Sequence, residues 1–490
     1  MVYILPIPTI TTMRIKMKRF LFTVIFCLSS LLAFAAETPD RTGYEVYTVQ
    51  KGDTLARIAA RYMPLTAAYT KKELVNSIRA INNITNGLSI GQRISIPVAW
   101  KEPIKARAVL KEREYPAKGL YINTSNSGTR FVFEAAAKLR KAGGNTIVFD
   151  AKDDMGAITY RSPIPARYCP NEKYTPNIEE LPKLIDYLHR QGIHVVARVV
   201  VFRDPIMARV RPEWCSKREK SWLDPANPEV QEYILTVIRE LTASGVDEIQ
   251  LDYVRYFADL KTHTSNGTLR TDVIANFVKR VHDITKPKGV LLSLDMFGIV
   301  VWQRDVDVLT VGQDVTKLKG NVDIISPMLY PSHFNKGFGG VKNPADDPYH
   351  FVFNGIRRMK ELVGDAVVIR PWLQSFPLGV TRGYDARYVQ DQIDAARDSG
   401  ATGWLMWSPG NHYREAYAAM ENAQREKPQV REARTEAKAR EHKGQAPAGK
   451  GEKAVQPVDA LHPVQKQAPD GTAVEDRAET GTLRETAPRG

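Results

Sequence analysis

The sequence predicts an α/β protein: a parallel (β/α)8 barrel, preceded by a small strand-helix-helix-strand module and followed by a disordered tail. Three observations carry this expectation. Between Gly119 and about Arg425, eight strand-like apolar runs alternate with helical segments, the pattern of repeated βα units. Residues 46–98 hold two alternating runs at their ends and two stretches of helical spacing between them. From Pro428 to Gly490 there is no aromatic residue, and Ala, Pro, Gly, Gln and mixed charges dominate, so segment 427–490 cannot bury enough apolar surface to order itself. Over the whole 490 residues the hydrophobic fraction is 43% with only 3 cysteines, which excludes fully disordered, collagen-like and disulfide-scaffold classes.

Taken in order, the first element is an export signal over 1–35. Arg14, Lys16, Lys18 and Arg19 precede an apolar run from Phe20 to Leu32 and then Ala33-Phe34-Ala35, which suits signal peptidase cleavage near Ala35. The run falls short of the roughly 20 residues a membrane-spanning helix needs, so no transmembrane helix is expected in the mature chain. Met13 and Met17 stand just upstream of the run and are alternative starts; Cys27, inside it, is discarded with it. The protein is expected in the periplasm, the cell wall or outside the cell. Cys169 and Cys215 then meet an oxidising compartment, where they are a candidate disulfide or two free thiols.

The module begins with YTVQKGDTLARIAARYM from Tyr47: an alternating strand, a Gly-Asp-Thr turn, and a helix with Leu55, Ile58, Ala59 and Tyr62 on one face. A second helix is read from about Lys72 to Ile81, and RISIP closes the unit at Pro97. With YTVQKGDTLARIA at the front and LSIGQRISIP at the back, the module resembles a LysM domain, with a longer stretch than usual between its helices. The resemblance implies binding of N-acetylglucosamine-containing glycan such as peptidoglycan, with Gly52, Asp53, Thr54 and Leu55 on one side of a shallow groove and Asn83 and Ile84 on the other. The same residue types also simply make a turn and a helix cap. Segment 99–117 mixes charge and proline and reads as a linker.

In the barrel, spanning 118–426, the eight strands end near Asn123, Asp153, Phe202, Tyr256, Phe297, Tyr330, Phe376 and Pro409, with an open doubly wound sheet as the alternative architecture. Helices are expected over Phe131 to Ala142, Ile178 to Gln191, Val230 to Ser244, Val273 to Thr285 and Ala386 to Ser399. Barrel chemistry sits at the C-terminal ends of strands, and polar residues collect there. Asp252 in QLDYV and Asp295 in SLDMF lie inside otherwise apolar strands, where an unpaired carboxylate costs several kcal/mol, about 2–7 for a polar group and more for a charge. Paired carboxylates on adjacent strand ends suit glycosidic bond cleavage. Asp252 is read as nucleophile or electrostatic stabiliser with Arg255 keeping it ionised, and Asp295 as general acid/base with a pKa raised by its apolar flanks. Asp150, Lys152, Asp153 and Gln374 are candidates for substrate binding, Asp150 and Asp153 equally for an alternative acid role, and Tyr121, Tyr330, Trp372 and Trp407 for stacking on sugar faces, although strand aromatics also serve simply as core. No CxxC pair or HExxH string occurs, and neither metal nor cofactor is expected.

Through KGLYINTSNSG, NTIVFDAKDDMG, DEIQLDYVRYF, SPMLYPSHF and RPWLQSF, this region is similar to a family of glycoside-hydrolase-like barrels, which implies a carbohydrate-active protein acting on a polysaccharide. Three readings compete: an exported glycoside hydrolase held on its polymer by the module, a noncatalytic glycan-binding barrel, and a metal-dependent deacetylase. The net charge of +14 does not argue for nucleic acid. Residues 36–118 carry 14 basic and 8 acidic side chains, and the barrel is nearly neutral; the basic module suits an anionic envelope surface.

Overall fold

The computed structural model describes residues 43–216, 219–258 and 263–426, with 429, 433, 434 and 436. The export signal expected over 1–35 and nearly all of the tail expected over 427–490 lie outside the described residues.

The module is β1 (Gly43–Thr48), α1 (Leu55–Tyr62), α2 (Lys71–Ile81) and β2 (Arg93–Val98). The two strands pair antiparallel, Gly43 opposite Val98 and Thr48 opposite Arg93. Helix α1 buries Leu55, Ile58, Ala59 and Tyr62, the spacing of a single helical face. Thr54 and Thr70 cap the two helices through their hydroxyls, each satisfying an amide that the first turn leaves open. Ile94, Ile96 and Val98 of β2 close the small core against Leu74 and Ile78.

Segment 99–117 contains no helix or strand, yet it is tied down. Ala99 and Trp100 N–H donate to Leu65 O at 2.8 and 3.1 Å. Val109 N–H donates to Asp247 Oδ1 at 2.6 Å, and Arg113 Nη1 to Ala366 O at 2.7 Å. Asp247 and Ala366 stand just before two barrel strands, so this segment runs beneath the N-terminal end of the barrel.

The barrel strands are β3 (Lys118–Ile122), β4 (Thr146–Lys152), β5 (His194–Val200), β6 (Glu248–Asp252), β7 (Leu291–Phe297), β8 (Ile324–Met328), a seventh in two pieces, β9 (Val368–Ile369) and β10 (Trp372–Gln374), and β11 (Trp404–Trp407). Every neighbouring pair is parallel and β11 returns to β3, which closes the sheet. Pro371, which has no N–H to give, stands in the break of the seventh strand. The outer layer comprises α3 (Phe131–Lys141), α4 (Leu181–Arg190), α5 (Pro228–Ala243), α6 (Arg270–Thr285), α7 (Pro348–Val363), α8 (Ala386–Asp398) and α9 (Arg414–Arg425). Their apolar faces and the outward strand residues, such as Ile147, Val195, Ile249 and Leu292, make the main core. Among the described residues no helix is long and apolar enough to cross a membrane.

Strand β6 ends four residues before the sequence reading expects, at Asp252, because Tyr253 takes φ 52°. That left-handed backbone is unusual for an aromatic residue and terminates an extended run. Of the two states open to Cys169 and Cys215, the structure has the free thiols and not the candidate disulfide. Cys169 ends a short helix with its Sγ 3.0 Å from Met207 Sδ, whereas Cys215 turns its Sγ to Ala208 O at 3.3 Å. Each sulfur is thus used locally, on neighbouring residues of the helix Pro205–Val210.

Candidate active site

The side-chain alternation of each strand decides what enters the barrel. On β6 it is Glu248, Gln250 and Asp252; on β5, Val196 and Arg198; on β4, Val148 and Asp150; on β7, Ser293 and Asp295. Tyr121, Val148, Val196, Tyr330, Trp372 and Leu405 form an interior apolar cluster, with Met328, Phe376 and Trp407 packed against it. Leu251 is registered against Leu294, so Asp252 and Asp295 follow side by side on strands about 4.8 Å apart.

Arg198 organises this mouth, and the sequence reading missed it. Its Nη1 donates to Asp150 Oδ1 at 2.5 Å, while Nη2 and Nε reach Asp252 Oδ2 at 2.6 and 3.1 Å. The signal was available: a charge in the run HVVARVVVF is no more ordinary core than the aspartates are. The guanidinium also lies 5.1 Å from the ring centre of Trp407 and 5.7 Å from that of Tyr121, two rings stacked at 4.0 Å. Burial works against the Arg198 charge, but Asp150 and Asp252 outweigh it and raise its pKa further. Tyr121 Oη completes the Asp150 shell with a bond of 2.5 Å to Oδ2. Asp252 Oδ1 accepts the N–H of Tyr253 at 2.6 Å, a contact that goes with the unusual Tyr253 backbone.

Asp295 differs from both. It is 2% exposed, and its Oδ1 accepts the indole N–H of Trp372 at 2.7 Å; among the described residues no cation forms an ion pair with it. Burial first, and then the neighbouring Asp252 charge, push its pKa well above the usual carboxylate range. Asp153 is raised to about 6, by burial and then by the Asp150 charge. Its Oδ1 takes the N–H groups of Met155 and Ala157, and Thr124 Oγ1 stands 3.4 Å from both Asp153 Oδ2 and Asp150 Oδ2. Thr124 opens the one-turn helix Thr124–Ser127 directly after β3.

The structure takes two predicted residues out of the mouth. Arg255 does not hold Asp252: its guanidinium lies between the rings of Trp222 (4.4 Å) and Phe297 (4.2 Å) and donates to Tyr256 O. The reversal of the chain at Tyr253 carries it there. Lys152 is wholly buried, with Nζ 2.9 Å from Asp204 Oδ2 and 2.8 Å from Val200 O, because a register shift between Asp150 and Lys152 turns it away from the interior. Gln374 is fully buried, accepting Ser332 N–H and donating to Phe376 O, and so shapes the loops of the rim. Tyr330 is buried beside Phe376 at 5.8 Å, and Trp372 meets Trp407 edge-on at 5.7 Å.

In the module, Gly52 adopts φ 86° and Asn83 φ 53°. Asp53 Oδ2 accepts Tyr47 Oη at 2.6 Å and Gln50 N–H at 2.8 Å. Thr54 is the helix cap, and Leu55 and Ile84 belong to the module core. Each of these residues therefore has a structural task of its own.

A family described as "Putative glycosyl hydrolase domain" matches residues 119–413, and LysM domain matches 47–97. A search of curated proteins finds no similar sequence. Among solved structures, a hypothetical protein from Ruminiclostridium thermocellum ATCC 27405 is 27% identical, covering 36% of this chain and 96% of that one at a TM-score of 0.32. The PgaB (BpsB) glycoside hydrolase domain from Bordetella bronchiseptica is 13% identical, covering 62% and 98% at 0.47. The spore cortex-lytic enzyme SleL of Bacillus megaterium QM B1551 is 13% identical, covering 77% and 86% at 0.40. With 119–413 matched over more than half of its length, the chain belongs to this glycosyl hydrolase domain family and carries a LysM domain ahead of the barrel.

Proposed function

We propose that this protein is an exported glycoside hydrolase acting on a cell-envelope or extracellular polysaccharide, with its LysM domain holding N-acetylglucosamine-containing glycan. The observation that carries the reading is the pair Asp252 and Asp295, on adjacent strands in one barrel mouth but in opposite electrostatic settings. Asp295, kept protonated by burial, is the proton donor to the leaving oxygen. Asp252, paired with Arg198 at 2.6 Å, faces the positive charge that develops at the sugar carbon. Trp407, half-buried at the mouth, supplies an apolar face for the ring, and Asp153, also half-buried, offers an acceptor for its hydroxyls.

The test is release of reducing ends from peptidoglycan and a panel of defined polysaccharides by wild type beside Asp252→Asn and Asp295→Asn. Release by wild type that both variants lose is the expected result. Equal release by all three, or none from any substrate, removes the catalytic assignment.

One observation favours a second reading, a barrel that grips glycan without cleaving it. Arg198 engages both Asp150 and Asp252, and Asp252 is only 5% exposed. Under that reading the wild type binds the polysaccharide and releases nothing.

A further inference from the structure

The module is docked against the barrel flank. Tyr69, between its helices, is 1% exposed and donates from Oη to Ser127 O at 2.5 Å. Glu73 pairs with Arg130 at 2.9 Å and Lys71 with Glu179 at 2.7 Å. Buried Lys183 of α4 donates from Nζ to the carbonyls of Met63 and Ala68. These barrel residues sit at the starts of α3 and α4 or just before them, and such positions follow the C-terminal ends of strands. The docking surface is therefore on the rim of the mouth. Ser127 closes the same one-turn helix whose first residue, Thr124, faces Asp150 and Asp153.

At this junction lies a cleft of about 650 Å³, within the range of small-molecule sites, which favour domain boundaries. It contains none of the module's turn residues Gly52, Asp53, Thr54, Leu55, Asn83 or Ile84. Thr66, Asn76 and Ser77 line it on the module side and Arg130 on the barrel side. Thr66 is 1% exposed and its Oγ1 has no hydrogen-bond partner among the described residues, a state that calls for a ligand or water partner. Glu73 and Arg130, also in the wall, neutralise each other, so the cleft has no excess charge with which to select an ion. Ile81, 39% exposed, and Pro97 add apolar surface. Hydroxyl and amide groups that both donate and accept, beside apolar patches and with no net charge, match the alternating C–H and O–H surface of a neutral sugar.

We propose that this cleft is a carbohydrate subsite, taking an uncharged, hydroxyl- and acetamido-bearing segment of the same chain whose other units enter the barrel mouth. This rests on the glycan-acting reading above. Because the module is fixed on the rim, a chain that fills both places is held at one spacing relative to Asp295.

The test uses the full chain in an Asp295→Asn background, so that binding is read without cleavage, with N-acetylglucosamine hexamer as the probe and calorimetry as the measurement. Asn76→Trp fills the cleft from an exposed position and is expected to weaken hexamer binding about tenfold, or about 1.4 kcal/mol. Thr66→Val, which keeps the shape but removes the hydroxyl, is expected to weaken it about threefold. Both variants should keep the wild-type unfolding midpoint, which separates a lost subsite from a lost fold. Hexamer should also slow amide hydrogen exchange in 66–81. Unchanged affinity in Asn76→Trp overturns the proposal, as does no hexamer binding to the parent chain, or binding of a peptidoglycan stem peptide alone at the same cleft. A wild type that hydrolyses nothing while Asn76→Trp still loses hexamer affinity removes the hydrolase reading and leaves the subsite standing.

Discussion

The barrel interior holds two layers of buried charge, and they behave in opposite ways. Near the N-terminal end of the strands, Glu248 takes Arg370 Nη1 at 2.8 and 3.0 Å and His194 Nε2 at 3.0 Å, all three being essentially inaccessible. Burial alone would raise the Glu248 pKa, but Arg370 and His194 outweigh it and bring it down to about 2. At the C-terminal end, one arginine, Arg198, serves Asp150 and Asp252, and Asp295 beside them is pushed upward. Depth is the same in both layers; the ratio of carboxylates to cations differs. A matched layer is a structural one, whereas a layer short of positive charge biases a carboxyl toward its protonated form, the form a general acid requires.

That contrast can be broken in several ways. The largest expected effect is on activity. Asp295→Asn puts a neutral isostere where burial and the Asp252 charge disfavour a carboxylate, so hydrolysis should fall by about 10²–10⁴-fold while the thermal midpoint at neutral pH holds or rises, because the unfolded chain ionises that carboxyl more readily than the fold does. A large loss of stability in this variant would mean that Asp295 is ionised in the fold, contrary to the contrast.

Next in size is the matched layer. Glu248→Leu strands the buried Arg370 cation and should cost about 3–5 kcal/mol in urea unfolding, with Glu248→Leu/Arg370→Leu recovering a large part of it. In the wild type the sign follows from the depressed pKa. The Glu248 contribution is complete above the ordinary value of 4.5 and is lost as pH falls toward about 2. Glu248→Leu should remove that part of the acid sensitivity.

Arg198→Met tests the other layer with a comparable or somewhat smaller cost, because Asp150, whose pKa burial already raises, can take up a proton where Arg370 cannot lose one. Burial already raises the Asp150 pKa against the pull of Arg198, and loss of Arg198 raises it further, so the stability of this variant should fall as pH rises, the reverse of the Glu248 dependence. A flat pH profile for Arg198→Met would contradict the bridging role.

The smallest effect concerns Asp153, raised from 3.8 to about 6. Between these values the folded chain binds more protons than the unfolded one, so the Asp153 contribution declines as pH rises through that window. Asp153→Asn should therefore be slightly more stable than wild type above pH 6 and indistinguishable from it below 3.8, as read from thermal midpoints across the range.

Much of this was legible in the chain. The strand ends were placed within a few residues, except at β6, where the left-handed backbone of Tyr253 stops the strand at Asp252. Asp252 and Asp295 were singled out because a carboxylate among apolar neighbours needs an explanation. The same argument applied to Arg198 and to Glu248, yet sequence position does not say which charge a charge will meet. Arg255 was chosen for its nearness along the chain, three residues from Asp252; Arg198, on the neighbouring strand, is 54 residues away and makes the contact. Lys152 looked like part of the mouth until a register shift turned it toward Asp204. The cysteines could be counted but not paired, since each sulfur settles on its own neighbour of one short helix.

The local terms are written along the chain. Period-two strands, helices with caps, a Gly-Asp-Thr turn and an aromatic-free tail follow from side-chain spacing, backbone preference and burial, which are properties of neighbours along the chain. Folding alone settles which buried charges share a partner, that Asp295 is left with the carboxyl most strongly pushed upward among them, and that the module seats on the rim of the mouth. Those outcomes depend on strand register and on closure of the sheet, which bring together residues far apart in the chain, and an electrostatic balance exists only once the distances between them are set.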